Sequence, residues 1–348
     1  MTCPYKNTDL TGTTNDTVSY SKYLHLPELL SLSYPINPNA DDEPLFIAVH
    51  QTHELWFKQI LKDLESVRDY IYESVEQSSS NRLLRVSELL SRCKMIVKLT
   101  KESLAVLETM TPMEFLDFRK FLSPASGFQS RQFRELEILL GLPLEGRKIG
   151  GVSWLEGKLD IDDRESVRER GQQYSISKAL EKWLEHDSDR IAKLTLDQWT
   201  WESEYKRSID LLAENDSTVD DIYNSLFDEN EHQTLISNGY RKWSRKAILH
   251  CLFIYQYRNL GAFQVPYTVL QSALELEDAL VEWRQRHASM AQRMIGSRKG
   301  TGSTSGSEYL HMAASLNKVF IDLRGLSLYM LSREDLPIIP PYLQKALG

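Results

Sequence analysis

Two histidines stand where apolar residues are expected on one helical face. Residues 46–71 carry apolar side chains at helical spacing, and His50 and His53 fall on the same stripe. A buried imidazole needs a hydrogen bond, a metal or a ligand to offset the loss of water. Their spacing matches neither the H-E-x-x-H nor the H-x-x-E-H zinc motif. His50 is therefore either a satisfied core residue or part of a site, and spacing alone leaves both open.

A third histidine occupies a similar position on a later helix. His287 is in line with Leu280 and Trp283 at spacings of three and four. Two helices that each direct one histidine inward are typical of a planar cofactor held between helices, with one histidine as axial ligand. Two unrelated core histidines would give the same pattern, so both interpretations stand at this point.

Two further polar residues can bind a small ligand. Arg119 lies close to Phe115 and Phe118, and a guanidinium can hold a carboxylate through two parallel hydrogen bonds while aromatic rings contact the remainder. A surface ion pair is the alternative role. The Gly/Ser/Thr-rich segment 296–306 lacks a Walker Gly-Lys-Ser/Thr and follows a helix instead of a strand. It is either a flexible connector or a lid that closes over a polar ligand through Thr301.

Composition and charge exclude several classes of protein. The 348 residues include 41 Lys and Arg and 49 Asp and Glu, a formal net charge of −8, with no long basic block. Binding to nucleic acid or to a membrane surface therefore has no electrostatic support. Cys3, Cys93 and Cys251 are too scattered for a disulfide framework, which favours a reducing compartment. No apolar run reaches the ~18 residues of a membrane span and no signal peptide is recognisable, so we expect a cytoplasmic protein.

Helical periodicity predicts an all-α fold. Asp41 and Asp42 can cap the first long helix, with Pro44 in its first turn, and Thr111-Pro-Met-Glu114 is a capping box. The predicted helices are 41–76, 82–110, a short helix from 111, 129–140, 239–260, 269–295 and 309–331. Residues 143–237 contain two further helical patterns, and we interpret them as a helical insertion.

Several co-linear stretches resemble the tryptophan 2,3-dioxygenase family. They are Phe46–Leu61, Phe118–Ser130, Trp283–His287, Gly300-Thr-Gly302 and Val319–Leu323, within a similarity that extends from about residue 19 to residue 343 except for residues 143–237. The resemblance implies an all-α helical bundle that encloses haem b, usually in a homotetramer. It also implies an enzyme that inserts both atoms of O₂ across the indole C2–C3 bond of L-tryptophan to give N-formylkynurenine.

The resemblance also assigns roles by matched position. His287 is the axial ligand of the haem iron, and His50 is the distal histidine close to the indole N–H. Arg119 grips the substrate carboxylate, and Thr301 contacts the ammonium and carboxylate groups. Of the remaining matched positions, Phe46 and Phe115 line the indole pocket, and Ser126 and Gly127 lie near the haem edge.

The resemblance further implies a division of the chain. Residues 1–40 form an arm whose Tyr20 and Tyr23 reach the pocket of a neighbouring subunit. The other parts are a haem-binding core at 41–142 and 238–348 and the helical insertion at 143–237.

Departures from the family pattern keep two alternatives open. Ser303 replaces a glycine that is common in the family loop, Arg131 occupies a position that is often apolar in the family, and His53 adds an imidazole near the pocket. One alternative is a haem-dependent monooxygenase that gives an oxindole or a hydroxylated product from tryptophan or a substituted tryptophan in a natural-product pathway. The other is a non-catalytic haem sensor. The Arg119 and Thr301 pair favours an enzyme, because a gas sensor needs no amino-acid clamp.

Overall fold

The regular elements of the described chain are all helical. The computed structural model describes residues 18–77, 80–123, 125–143, 159–195, 199–213, 223, 225–296 and 317–348. Within these ranges the structure contains α-helices and short 3₁₀ turns and no strand. The all-α prediction is confirmed.

Two helices of the described chain, each 35 residues long, carry the histidines of the candidate site. In chain order the α-helices are α1 (Tyr20–Tyr23), α2 (Leu26–Leu30), α3 (Glu43–Gln77), α4 (Ser80–Leu107), α5 (Pro112–Leu122), α6 (Arg131–Leu140), α7 (Ile161–Gly171), α8 (Ile176–Ala192), α9 (Trp201–Ala213), α10 (Glu229–Ser237), α11 (Arg245–Gln256), α12 (Gly261–Ile295), α13 (Ile321–Gly325) and α14 (Pro341–Leu347). The 3₁₀ turns are Gly127–Gln129 and Leu326–Tyr329. The two long helices that carry the cavity histidines are α3 and α12.

The beginnings of α3 and α5 agree with the sequence signals. The backbone carbonyl of Asp42 accepts a hydrogen bond from Phe46 N at 3.1 Å, so α3 begins directly after the acidic pair. At α5, the Thr111 side chain accepts from Glu114 N, and the Glu114 carboxylate accepts from Thr111 N at 2.6 Å. This reciprocal capping box fixes where α5 starts and therefore which residues it directs inward.

The helices share one large apolar core and a smaller second cluster. The most extensive helix contacts join α4 to α12 and α4 to α3, and α8 packs on α3 and α11. Leu180 and Trp183 of α8 belong to the same main core as Leu64 and Leu90. The second cluster brings together Val49, Leu104, Phe118 and Met290 beside the candidate site. No helix in the described ranges is both long and apolar enough to cross a lipid bilayer.

The helix predicted over 309–331 is wrong at residues 317–320 and 330–331, and only Ile321–Gly325 is α-helix, followed by the 3₁₀ turn Leu326–Tyr329; residues 309–316 lie outside the described residues. The Glu277 carboxylate accepts hydrogen bonds from Val319 N and Phe320 N, the latter at 3.0 Å. These two N–H groups are thereby satisfied by a side chain of α12, and regular helix begins only at Ile321. Helical periodicity cannot reveal such a competing acceptor.

Two other helix boundaries also differ from prediction. The helix predicted over 239–260 begins only at Arg245, because Gly239 ends α10 with φ of +71° and Ser244 caps α11. The helix predicted over 269–295 begins earlier, at Gly261. It continues through Pro266, which its second turn accommodates.

Candidate active site

A cavity of about 310 Å³ lies among α3, α4, α5, α6 and α12. Its wall includes most of the residues singled out from sequence: Phe46, His50, Phe115, Arg119, Ser126, Gly127 and His287. Tyr20 and Tyr23 lie on α1 and are 76% and 72% exposed, away from this cavity of their own chain. Thr301 and Ser303 lie outside the described residues.

His50 presents one defined nitrogen to the cavity. Its Nδ1 lies 2.7 Å from the carbonyl oxygen of Phe46, one turn earlier on α3. A carbonyl can only accept, so Nδ1 carries the proton and Nε2 is left with its lone pair. Burial among apolar groups lowers the pKa of His50, although part of the ring surface is open to the cavity. The ring is therefore a neutral hydrogen-bond acceptor at pH 7.

His53 is fixed more tightly than His50. Its Nε2 lies 2.6 Å from Ser103 Oγ, and that hydroxyl donates to Thr100 O at 2.8 Å. Because the serine proton is committed to Thr100, Nε2 of His53 is the donor and its Nδ1 is unprotonated. Burial lowers the pKa of His53 to about 4, with a smaller contribution from repulsion by His50 when both rings are protonated.

His287 projects from α12 into the same cavity. Its ring stacks on Trp283 with centroids 5.3 Å apart and planes 2° apart. Burial lowers its pKa to about 4, with smaller contributions from His50 and His53, so the three imidazoles lie near one another. A neutral imidazole is the form that binds a metal ion.

Arg119 lies at an aromatic end of the cavity. It occupies the last turn of α5, half-buried, one turn after Phe115. The rings of Phe46 and Phe115 are 5.7 Å apart, and those of Phe46 and Phe118 are 5.4 Å apart. This end can enclose an aromatic ring and bind a carboxylate at once.

A second charged group, not found by the sequence reasoning, forms another part of the wall. Arg134, Glu137, Arg284 and Asn317 are 7%, 2%, 8% and 4% exposed. Glu137 accepts from Arg134 Nη1 at 2.8 Å and from Arg284 Nη2 at 2.9 Å. The signal was present: Arg134 and Glu137 are three apart on a helix with apolar residues on both sides. Charged residues usually indicate a solvated helix face, and α6 is buried on every side.

The cavity fits an iron porphyrin on three observations. A neutral imidazole, His287, is available as an axial ligand, and most of the wall is aliphatic or aromatic. Two buried guanidinium groups, Arg134 and Arg284, suit the carboxylates that such a cofactor carries. Their Nε atoms have no hydrogen-bond partner within the described part of the chain.

A larger cavity of about 710 Å³ lies elsewhere, among α8, α9, α10 and α11. The two histidines in its wall are already engaged: His250 Nε2 pairs with Asp187 at 2.8 Å, and His232 Nδ1 lies 2.9 Å from Arg241 Nη1. The first contact joins α8 to α11, and the second joins α10 to the connection that follows it. The smaller cavity is therefore the better candidate for chemistry.

Comparison with known proteins finds similar sequences along most of the chain. The sequence profile described as tryptophan 2,3-dioxygenase matches residues 7–330. The chain is 36% identical to the tryptophan 2,3-dioxygenase of Anopheles gambiae, over 94% of this chain and 89% of that protein. It is 37% identical to tryptophan 2,3-dioxygenase A of Danio rerio, over 92% and 84%. The bacterial tryptophan 2,3-dioxygenase of Alteromonas mediterranea is 33% identical, over 94% and 96%.

Proposed function

The chain belongs to the tryptophan 2,3-dioxygenase family, and we propose that it adds both atoms of O₂ to the indole C2–C3 bond of L-tryptophan with haem as cofactor. The bond opens and N-formylkynurenine is the product, which contains every atom of tryptophan and O₂. The observation that carries the proposal is the meeting of His50, Arg119 and His287 in one largely apolar cavity.

His287 would hold the iron through its neutral imidazole, and Ser126 and Gly127 would lie at the edge of the cofactor. Haem, when bound, supplies the iron at which O₂ binds and is activated. The stack on Trp283 restrains the orientation of the His287 ring. Apolar side chains such as Met290 and Leu107 exclude water from this part of the cavity.

His50 would accept a hydrogen bond from the indole N–H through Nε2. The hydrogen bond from Nδ1 to Phe46 O fixes this tautomer, and the lowered pKa keeps the ring neutral at physiological pH. A cationic imidazole would present only donors to the substrate. The same neutral nitrogen can take the indole proton as the ring reacts and return it to the nitrogen in the product.

Arg119 would bind the substrate carboxylate while Phe46 and Phe115 hold the indole ring. Their arrangement at one end of the cavity allows both contacts by a single amino acid. Holding both ends of the substrate restricts C2 and C3 to one position, and such positioning lowers the activation barrier. Thr301 is proposed as a further contact for the ammonium and carboxylate groups on the basis of the matched loop alone.

A homotetramer in which the arm completes a neighbouring site is part of the proposal. Tyr20, Tyr23 and Leu30 are 76%, 72% and 75% exposed. Such a group of exposed large side chains is typical of a surface that another protein chain covers. The arm is nevertheless attached to the body, since Gln51 Nε2 donates to Leu32 O at 2.8 Å. The division into arm, core and insertion remains a prediction.

Product mass after incubation of the reduced, haem-loaded protein with L-tryptophan and ¹⁸O₂ tests the proposal. Two labelled atoms in N-formylkynurenine are the expected result. One labelled atom in an oxindole or hydroxylated product would establish a monooxygenase instead. A Soret change with carbon monoxide but none with L-tryptophan, and no product, would identify a haem sensor.

A further inference from the structure

The buried ion triad formed by Arg134, Glu137 and Arg284 holds more positive than negative charge against the cavity. Two guanidinium groups face one carboxylate, and each of the three residues is less than a tenth exposed. Charges taken out of water are costly unless they are paired. Within the described part of the chain, Glu137 is the acid that pairs with both arginines.

The arginines have donors that these contacts do not use. A guanidinium carries five N–H groups. Arg134 donates through Nη1 to Glu137, and Arg284 donates through Nη1 to Asn317 O at 3.2 Å and through Nη2 to Glu137. The Nε of each has no partner among the described residues. Both side chains line the cavity, so an anion inside it meets donors that are already oriented.

The triad lies next to the proposed iron ligand. Both guanidinium carbons stand over the Phe133 ring, at 5.3 and 5.9 Å from its centroid. The Phe133 ring is 5.0 Å from that of Trp283, which stacks on His287. The positive charge is thus separated from His287 by two aromatic rings.

Arg119 is at a different place on the same wall. The aromatic contacts run from Phe115 to Phe46, from Phe46 to His50 at 4.1 Å and from His50 to His53 at 6.5 Å. They continue from His53 to Trp283 at 6.3 Å before reaching Phe133. The cavity therefore has two separate cationic positions, of which Arg119 suffices for the single carboxylate of an amino acid.

We infer that Arg134 and Arg284, oriented by Glu137, form a binding site for the carboxylate groups of the porphyrin cofactor. The inference rests on the proposed function, because it requires haem in this cavity. Glu137 keeps the two arginines side by side, and the seated carboxylates balance the surplus positive charge. Charge-assisted hydrogen bonds of this type are the stronger class in proteins.

Titration of the full chain, prepared without haem, with haemin and with haemin dimethyl ester tests the site. The ester keeps the iron and the ring but has no ionised carboxylate. We expect haemin to bind on the order of tenfold more tightly than the ester, as a charge-assisted contact predicts. The Soret band should have the same position in both complexes, because the axial histidine is the same.

Two variants and one matched control assign the preference to the triad. Arg134→Gln and Arg284→Gln should each bring haemin and the ester to nearly equal affinity. Arg286 lies on α12, like Arg284, but pairs with Glu108 outside the cavity. Arg286→Gln should therefore keep the wild-type ratio of haemin affinity to ester affinity. If a glutamine variant does not fold, the wild-type affinity ratio and Arg134→Lys still test the inference. Arg134→Lys keeps the positive charge and should keep the preference for haemin over the ester.

The same proteins distinguish the source of the carboxylate. The affinity ratio of L-tryptophan to tryptamine, read from the Soret change, should be unaltered in Arg134→Gln. If this ratio collapses while the haemin ratio is kept, the triad binds the amino acid and the inference is overturned. Equal binding of haemin and ester by the wild type overturns the inference and leaves the proposed function standing. No binding of either porphyrin overturns both.

Discussion

The rings of Trp283 and His287 lie parallel, one turn apart on α12, with centroids 5.3 Å apart and an angle of 2° between planes. Trp283 itself packs against the rings of Phe57, at 6.1 Å, and Phe133, at 5.0 Å. Its Nε1 has no hydrogen-bond partner within the described part of the chain. Aromatic packing therefore fixes the orientation of His287, and that rigidity suits an axial ligand.

Replacing His287 with glycine should remove stable haem binding and leave the fold intact. The substitution deletes the proposed iron ligand and opens a space of imidazole size on α12. Free imidazole should then restore a histidine-like Soret band, which absorption spectroscopy measures. His25→Gly is a suitable control, since His25 is exposed and has a φ of 50° that glycine adopts without strain. An unchanged Soret band in His287→Gly without imidazole would refute the assignment.

Arg119→Gln should weaken substrate capture more than turnover. Loss of the guanidinium removes a charge-assisted contact worth roughly 1.5–3 kcal/mol, or about tenfold to a hundredfold in KM. The variant should also lose the preference for L-tryptophan over tryptamine. Lys120→Gln changes the next basic residue, which lies over Phe121 on the exposed side of α5, and should behave as wild type. A wild-type kcat/KM in Arg119→Gln would exclude the carboxylate role.

His50→Gln should lower kcat/KM for L-tryptophan by about tenfold or more, since it replaces the neutral acceptor Nε2. Discrimination against N1-methyltryptophan, which lacks the indole N–H, should decrease in the variant. Burial lowers the pKa of His50 below its usual value near 6.5. An inflection of wild-type kcat/KM that arises from this group should therefore lie below pH 6.5. An inflection above pH 6.5 that disappears in His50→Gln would contradict the assigned state.

The sequence placed His50 and His287 on predicted apolar stripes, because helical periodicity reports which face is buried. The structure brings both to one cavity with Arg119, and the roles of all three stay predictions, whereas the charged end of that cavity was not predicted. Arg134 and Glu137 were missed because charged residues three apart usually indicate a solvated helix face, whereas here they are buried and Glu137 pairs with Arg284 of α12, across a long stretch of chain. Local patterns carry no information on such distant ion pairs.

The segment 317–320 was missed for a related reason. Val319 N and Phe320 N donate to Glu277, and Lys242 Nζ donates to Lys318 O at 3.2 Å. Glu277 belongs to α12, and Lys242 lies in the connection between α10 and α11. Periodicity detects the apolar stripe of Val319 and Phe320 but not the acceptor that takes their hydrogen bonds.

The stability of Asp322→Asn relative to wild type should be higher at neutral pH than at acid pH. Burial raises the pKa of Asp322 to about 6, although Lys242 N and Trp243 N donate to it. The folded state then binds more protons than the unfolded state between about pH 4 and 6, so the unfolding free energy decreases as pH rises. Between pH 5 and pH 7.5 this group should cost the wild type about 1 kcal/mol. Urea unfolding of the haem-free chain at the two pH values should show this change in unfolding free energy in wild type but not in Asp322→Asn. An equal change in both proteins would mean that the Asp322 carboxyl is better solvated than inferred.

His53 should produce the opposite dependence. Its folded pKa of about 4 lies below the unfolded value, so the unfolded state binds more protons between about pH 4 and 6.5. The unfolding free energy therefore falls as pH falls, by about 2 kcal/mol from this group between pH 7.5 and pH 5.

His53→Gln keeps a donor for Ser103 Oγ but does not titrate, which makes it the matched variant. Urea unfolding of the haem-free chain at the two pH values should show a smaller acid loss in His53→Gln than in wild type. An equal loss in both proteins would mean that His53 takes up a proton in the folded chain. In that case the cavity would admit a charged imidazole, and the neutral acceptor surface inferred for His50 and His53 would be wrong.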